Sequence, residues 1–93
     1  MLEYIKEHII EELQGAVDYW TKALENKGTD NGIIFKHMAE AEIEHANSLT
    51  KMLKHVEIPK SSKMDSDPYK EILDEYTTAM NKIEAIKKLY WAK

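Results

Sequence analysis

Residues 35–53 read FKHMAEAEIEHANSLTKML. Apolar residues recur through this run at intervals of three and four, the helix period, with no strand-type alternation. With its flanks, the inner face is expected to carry Ile34, Met38, Ala41, Leu49, Met52 and Val56. Set Ile34 at zero on a wheel of roughly 100° per residue; Met52 then returns to about 0° and Met38 falls at about 40°. His45 falls at about 20° and Glu42 at about 80°, between Leu49 and Leu53. A carboxylate and an imidazole therefore fall on the apolar repeat.

Working outward, this helix is expected over residues 32–57, because Pro59 disfavours helical geometry at Ile58. Before it, NKGTDNG (residues 26–32) holds two glycines and two asparagines, which end one helix and admit a tight reversal. Asp30 or Asn31 is the expected N-cap of the second helix. A first helix is expected over residues 2–25, with Ile5, Ile9, Leu13, Ala16, Tyr19, Trp20, Ala23 and Leu24 on its apolar side. After Pro59, PKSSKMDSDP is polar and turn-rich. A third helix is expected over residues 67–91, with Asp67 as N-cap and Pro68 at its first position. Its apolar residues are Tyr69, Ile72, Leu73, Tyr76, Met80, Ile83, Ile86, Leu89 and Tyr90. The predicted fold is all-α and single-domain: a hairpin of antiparallel helices joined by a short loop, plus a third helix.

Composition narrows the function. The 93 residues make one small domain, and domains of this size often need a metal, a disulfide or a partner chain. Cysteine is absent, which rules out disulfides and thiolate metal sites. The formal net charge of −4 argues against a nucleic-acid partner. No apolar run approaches the ~20 residues of a membrane span. The opening MLEYIKEHII carries Glu3 and Glu7 where a signal peptide would be basic and then apolar. The expectation is a cytoplasmic protein.

On the first helix, set Ile5 at zero: Ile9 lies at about 40° and Ala16 at about 20°. Glu12 lies about 20° to the other side of Ile5, so it sits within the apolar stripe. Glu12 precedes the loop by roughly 21 Å of helix, and Glu42 and His45 follow it by roughly 15 to 21 Å. In an antiparallel hairpin the three side chains stand at one level. Residues three apart on a helix point the same way, so Glu42 and His45 can converge. Burying such groups without partners costs several kcal/mol. A hard or borderline cation offsets that cost, accepting carboxylate oxygen and imidazole nitrogen together; iron, manganese and zinc all tolerate these donors. Di-iron carboxylate bundles use two lone Glu residues and two Glu-x-x-His pairs. This chain holds one of each. His8, His37 and His55 have isoleucine or methionine, not glutamate, three residues before them. A two-fold homodimer would duplicate the set.

The stretch EELQGAVDYW (residues 11–20), followed about 30 residues later by EIEH (residues 42–45), resembles the encapsulated ferritins, half-ferritins of the ferritin-like superfamily. The resemblance covers about residues 5–57. It implies a four-helix bundle formed by dimerisation, with a ferroxidase centre of two irons at the dimer interface. Glu12 and His45 would be terminal ligands, and Glu42 of each chain would bridge the irons. Tyr19 matches a tyrosine beside the family's metal centre. Glu11 matches an outer acid near the iron access path, and Gln14 stands where a second such acid is expected. Members that load into encapsulin shells carry a C-terminal targeting peptide, and none is seen where the chain reads KKLYWAK (residues 87–93). The expected assembly is therefore a larger homo-oligomer, with an encapsulin nanocompartment as an alternative location. The expected activity is Fe(II) oxidation in iron storage or detoxification. Two other readings remain: a different di-metal enzyme such as a peroxidase or oxidase, or a non-catalytic helical interaction protein.

The remaining polar and aromatic residues have plainer expectations. His8 should be half-exposed, and His37 and His55 should lie at the surface. Glu40 and Glu44 should form a solvated face. Met38, Met52 and Met80 should fill the core. Trp20, Trp91 and the tyrosines of the third helix should serve packing.

Overall fold

The computed structural model describes residues 1–53 and 68–92. These form three helices: α1 (Leu2–Glu25), α2 (Asp30–Met52) and α3 (Pro68–Tyr90). No strand occurs among the described residues. The all-α expectation holds, and α1 and α3 match their predicted extents closely. The predicted end of helix two at 57, the Asp67 cap, His55 and Val56 lie outside the described residues.

α1 buries Ile5, Ile9, Leu13, Ala16, Trp20 and Ala23, spaced at threes and fours as a helix stripe requires. Glu3 in its first turn and Lys22 in its last complement the helix dipole. The chain then reverses. Asn26 donates backbone and side-chain N–H to the Lys22 carbonyl at 3.0 and 2.8 Å, satisfying an end that the helix leaves open. Gly28 takes φ 86°, a left-handed value that glycine adopts at no steric cost.

The cap of α2 differs from expectation. Thr29 fills it, not Asp30 or Asn31: its Oγ1 accepts from the Gly32 N–H at 3.1 Å and donates to the Asn26 carbonyl at 2.6 Å. One hydroxyl thus satisfies an orphan donor of α2 and ties it to the turn, something an acceptor-only carboxylate cannot do. α2 consequently starts at Asp30, two residues earlier than predicted.

The inner face of α2 is also rotated, by about 100° on the wheel. The buried residues are Gly32, Ala39 and Ala46, at seven-residue intervals. They face Ala16 and Ala23 of α1, also fully buried and seven apart. Small side chains at this spacing let the two axes approach closely, and a Cβ on Gly32 would run into the Asn26 carbonyl. The larger stripe stays outside: Ile34 is 55 % exposed, Met38 39 % and Met52 49 %. Met38 and Met52 are therefore not core residues, whereas Met80 does pack against the core.

α3 completes the chain's own core through Ile72, Tyr76, Ala79, Ile83, Ile86 and Tyr90, alternating steps of four and three. Leu73 and Leu89, expected on this face, are exposed. Near its start Glu71 meets Lys6 at 2.6 Å, and around its end the Leu89 and Ala92 carbonyls accept from Lys27. α3 therefore runs parallel to α1 and antiparallel to α2. Tyr76 joins it to α2, bonding Thr50 at 2.8 Å and donating to Asn47 Oδ1 at 3.2 Å. Burial raises the Tyr76 phenol above its ordinary pKa, with the Thr50 bond opposing. Trp20 lies edge-on to Tyr90 at 5.6 Å, closing the far end of the core.

Candidate metal centre

Glu12 stands at the edge of the α1 seam; on α2, Glu42 stands between the buried small residues and the exposed bulky stripe, and His45 stands within that stripe. Their ligand atoms all lie within 4.8 Å of one another. The His45 Nδ1 is 3.4 Å from Glu12 Oε2. Glu12 and Glu42 are half-buried, while the His45 side chain is 63 % exposed. The level matching read from the hairpin is therefore correct, and these three residues do converge.

The group is electrostatically unfinished. Glu12 Oε2 is shielded from solvent and has no hydrogen-bond partner. The lysine ion pairs among the described residues go to Glu3, Glu71, Glu25, Glu40 and Glu84, none of them in this group. The Glu42 carboxyl is raised from 4.5 to about 7. The main cause is a hydrogen bond with Glu12, followed by burial and by the Glu12 charge, with His45 opposing. Two carboxylates this close do not both ionise readily. A shielded carboxylate oxygen with no hydrogen-bond partner, beside a second carboxyl whose ionisation is disfavoured, is what a cation would resolve. Two oxygens and one imidazole nitrogen suit a hard or borderline divalent ion. Three donors from one chain leave several coordination positions open.

Gly15 belongs to the same site, although the sequence reading did not single it out. A Cβ built there would lie 3.0 Å from Glu42 Oε2 and 3.4 Å from its carboxyl carbon. The available signal is a glycine inside an otherwise well-formed helix, one turn after an inward acid.

The other predicted residues lie around the group. Tyr19 is half-buried and stacks on Phe35 of α2, with ring centroids 6.2 Å apart. Glu11 is exposed. Gln14 lines a groove between α1 and α3 with Asp18, Glu75 and Lys82, away from the three ligands. His8 is half-buried against Tyr4 at 4.3 Å, and His37 is exposed. Glu40 pairs with Lys36 at 3.3 Å on the solvated face. An apolar cavity of about 370 Å³ lies between Leu53, Tyr69, Ile72 and Tyr76 and does not touch the ligand group. Among the described residues no helix is long and apolar enough to cross a membrane.

No family model, no curated protein and no solved structure matches this chain.

Proposed function

We propose that the chain is half of a ferroxidase, oxidising Fe(II) to Fe(III) at a two-iron site shared by two copies, in iron storage or detoxification. The carrying observation is the convergence of Glu12, Glu42 and His45 within 4.8 Å, with Glu12 Oε2 shielded from solvent and without a hydrogen-bond partner. The second copy supplies the other half. The surface around the ligands suits it, because Ile34, Met38 and Met52 lie exposed along α2 on the side of His45. Those residues bury apolar area when two α2 helices meet about a two-fold axis. α3 packs on the other side and leaves that face open.

Iron is the substrate. Two Fe(II) each lose one electron; O₂ takes both with two protons, giving two Fe(III) and hydrogen peroxide. The carboxylates favour the higher charge on the product ion. Glu42 must release its proton on binding a cation, so metal uptake is coupled to proton loss. His45, exposed and uncommitted on its outer side, fixes one donor direction while the open positions admit oxygen.

The test is aerobic Fe(II) oxidation followed by Fe(III) absorbance. Wild type should oxidise Fe(II) faster than the Glu42→Ala/His45→Ala double variant. Equal rates sink the proposal. Native mass spectrometry with and without Fe(II) should show metal-dependent pairing, and the same monomer in both conditions would remove the shared-site part.

A further inference from the structure

We infer that Gly15 is a positioning residue for the candidate metal centre, its missing side chain forming the notch in which the Glu42 carboxylate lies against α1. This inference rests on the reading of Glu12, Glu42 and His45 as ligands. Gly15 follows Glu12 by three residues, so both sit on one face of α1, one turn apart. Across the seam Glu42 projects from α2 onto that turn. A Cβ at position 15 would meet three successive atoms of its side chain: Oε2 at 3.0 Å, Cδ at 3.4 Å and Cγ at 3.7 Å. The first distance is too tight to keep, and the carboxylate must give way by a few tenths of an ångström. Its neighbours on the seam are Ala16 and Ala46, both fully buried. The helices are already close there, so it is the carboxylate that must yield and leave its present place beside Glu12.

Helix propensity alone would select against glycine here. Position 15 is in the interior of a 24-residue helix, with helical φ and no turn to make. Alanine at a helix interior is the better residue. The contact with Glu42 supplies a reason for glycine that the helix itself does not. Altering a hydrogen-bonded support of a metal ligand typically changes affinity by about 10-fold or more, and displacing the Glu42 carboxylate itself should act on the same scale.

The experiment is a double-mutant cycle on the full chain, using Gly15→Ala, Glu42→Ala and the pair, with two readouts. The first is the melting temperature in a chelator-containing buffer. In the Glu42→Ala background the notch is empty, and Gly15→Ala should raise melting by about 4–8 °C from propensity alone. With Glu42 present the gain should be clearly smaller or absent. The second readout is Co(II) affinity, followed by the visible bands of the ion. Gly15→Ala should weaken it by about 10-fold, with no further loss when added to Glu42→Ala. An equal rise in melting in both backgrounds overturns the inference, because positions 15 and 42 are then uncoupled. Unchanged Co(II) affinity in a well-folded Gly15→Ala also overturns it. A wild type that binds no Co(II) and no Fe(II) defeats the ferroxidase proposal instead, and the melting cycle still decides whether Gly15 places Glu42.

Discussion

Glu42→Gln keeps the shape of residue 42 and removes its charge, and its effect on the metal-free protein should depend on pH. The folded state holds the Glu42 carboxyl at about 7, against an ordinary 4.5. The folded chain thus binds this proton more tightly than the unfolded chain does. The stabilisation is fully present below about pH 4.5 and is lost as pH rises through 7. Above that, folding brings an ionised Glu42 against Glu12. At ~1.4 kcal/mol per pH unit the shift corresponds to roughly 3 kcal/mol, but the group is partly solvated, and about 1 kcal/mol should reach stability. Glu42→Gln should therefore raise the melting temperature by about 4–8 °C at pH 8 and hardly change it at pH 4. Thermal unfolding by circular dichroism with a chelator present reads this directly. Saturating Fe(II), added anaerobically, should reverse the order at pH 8, because the wild type gains a ligand that glutamine replaces poorly. A melting change equal at both pH values would refute the reasoning, since the Glu12–Glu42 repulsion would not then be what residue 42 contributes.

Thr29→Ala removes the hydroxyl that caps α2 and ties it to Asn26; it should cost about 1 kcal/mol, read as a lower urea midpoint with an unchanged slope. Met38→Lys/Met52→Lys alters two side chains that are 39 % and 49 % exposed, so the isolated fold should melt within a few degrees of wild type. Under the shared-site reading the same variant should lose Fe(II)-dependent pairing in native mass spectrometry, and pairing that persists would place the interface elsewhere.

The fold was largely legible because helix period, punctuation and loop length act locally. Three apolar periodicities and the reversal at Gly28 place α1, α2 and α3 almost where they occur. The ligand group was legible for a related reason: equal helical distances from one turn bring Glu12 level with Glu42 and His45. The face of α2 was not legible. Its wheel was phased on Ile34, Met38 and Met52, as though these bulky apolar side chains had to be the buried ones. The chain buries its smallest residues instead, because Gly32, Ala39 and Ala46 permit an axis approach that bulky side chains forbid. The cap was missed because Asp and Asn are strong caps in general, whereas the helix starts earlier, where the Thr29 hydroxyl accepts from Gly32 and donates to Asn26. Gly15 carries no periodic signal, and its meaning depends on an atom of another helix. The side on which α3 packs was equally hidden, since it follows from the partition of the α1 surface into two flanks.

That partition has a consequence for how the chain comes into being. α2 follows α1 after a few residues, but the bonds that tie α3 to the α1 side join Lys6 to Glu71 and Lys27 to Ala92, each pair 65 residues apart. Closing the longer loops costs more entropy and waits on more chain. On the ribosome, the hairpin can therefore close while Leu13 and Trp20 still await their cover. All three candidate ligands belong to that early-made half, and none comes from α3. Among the described residues α3 brings no candidate ligand; it withdraws from water the flank that would otherwise make the nascent hairpin sticky.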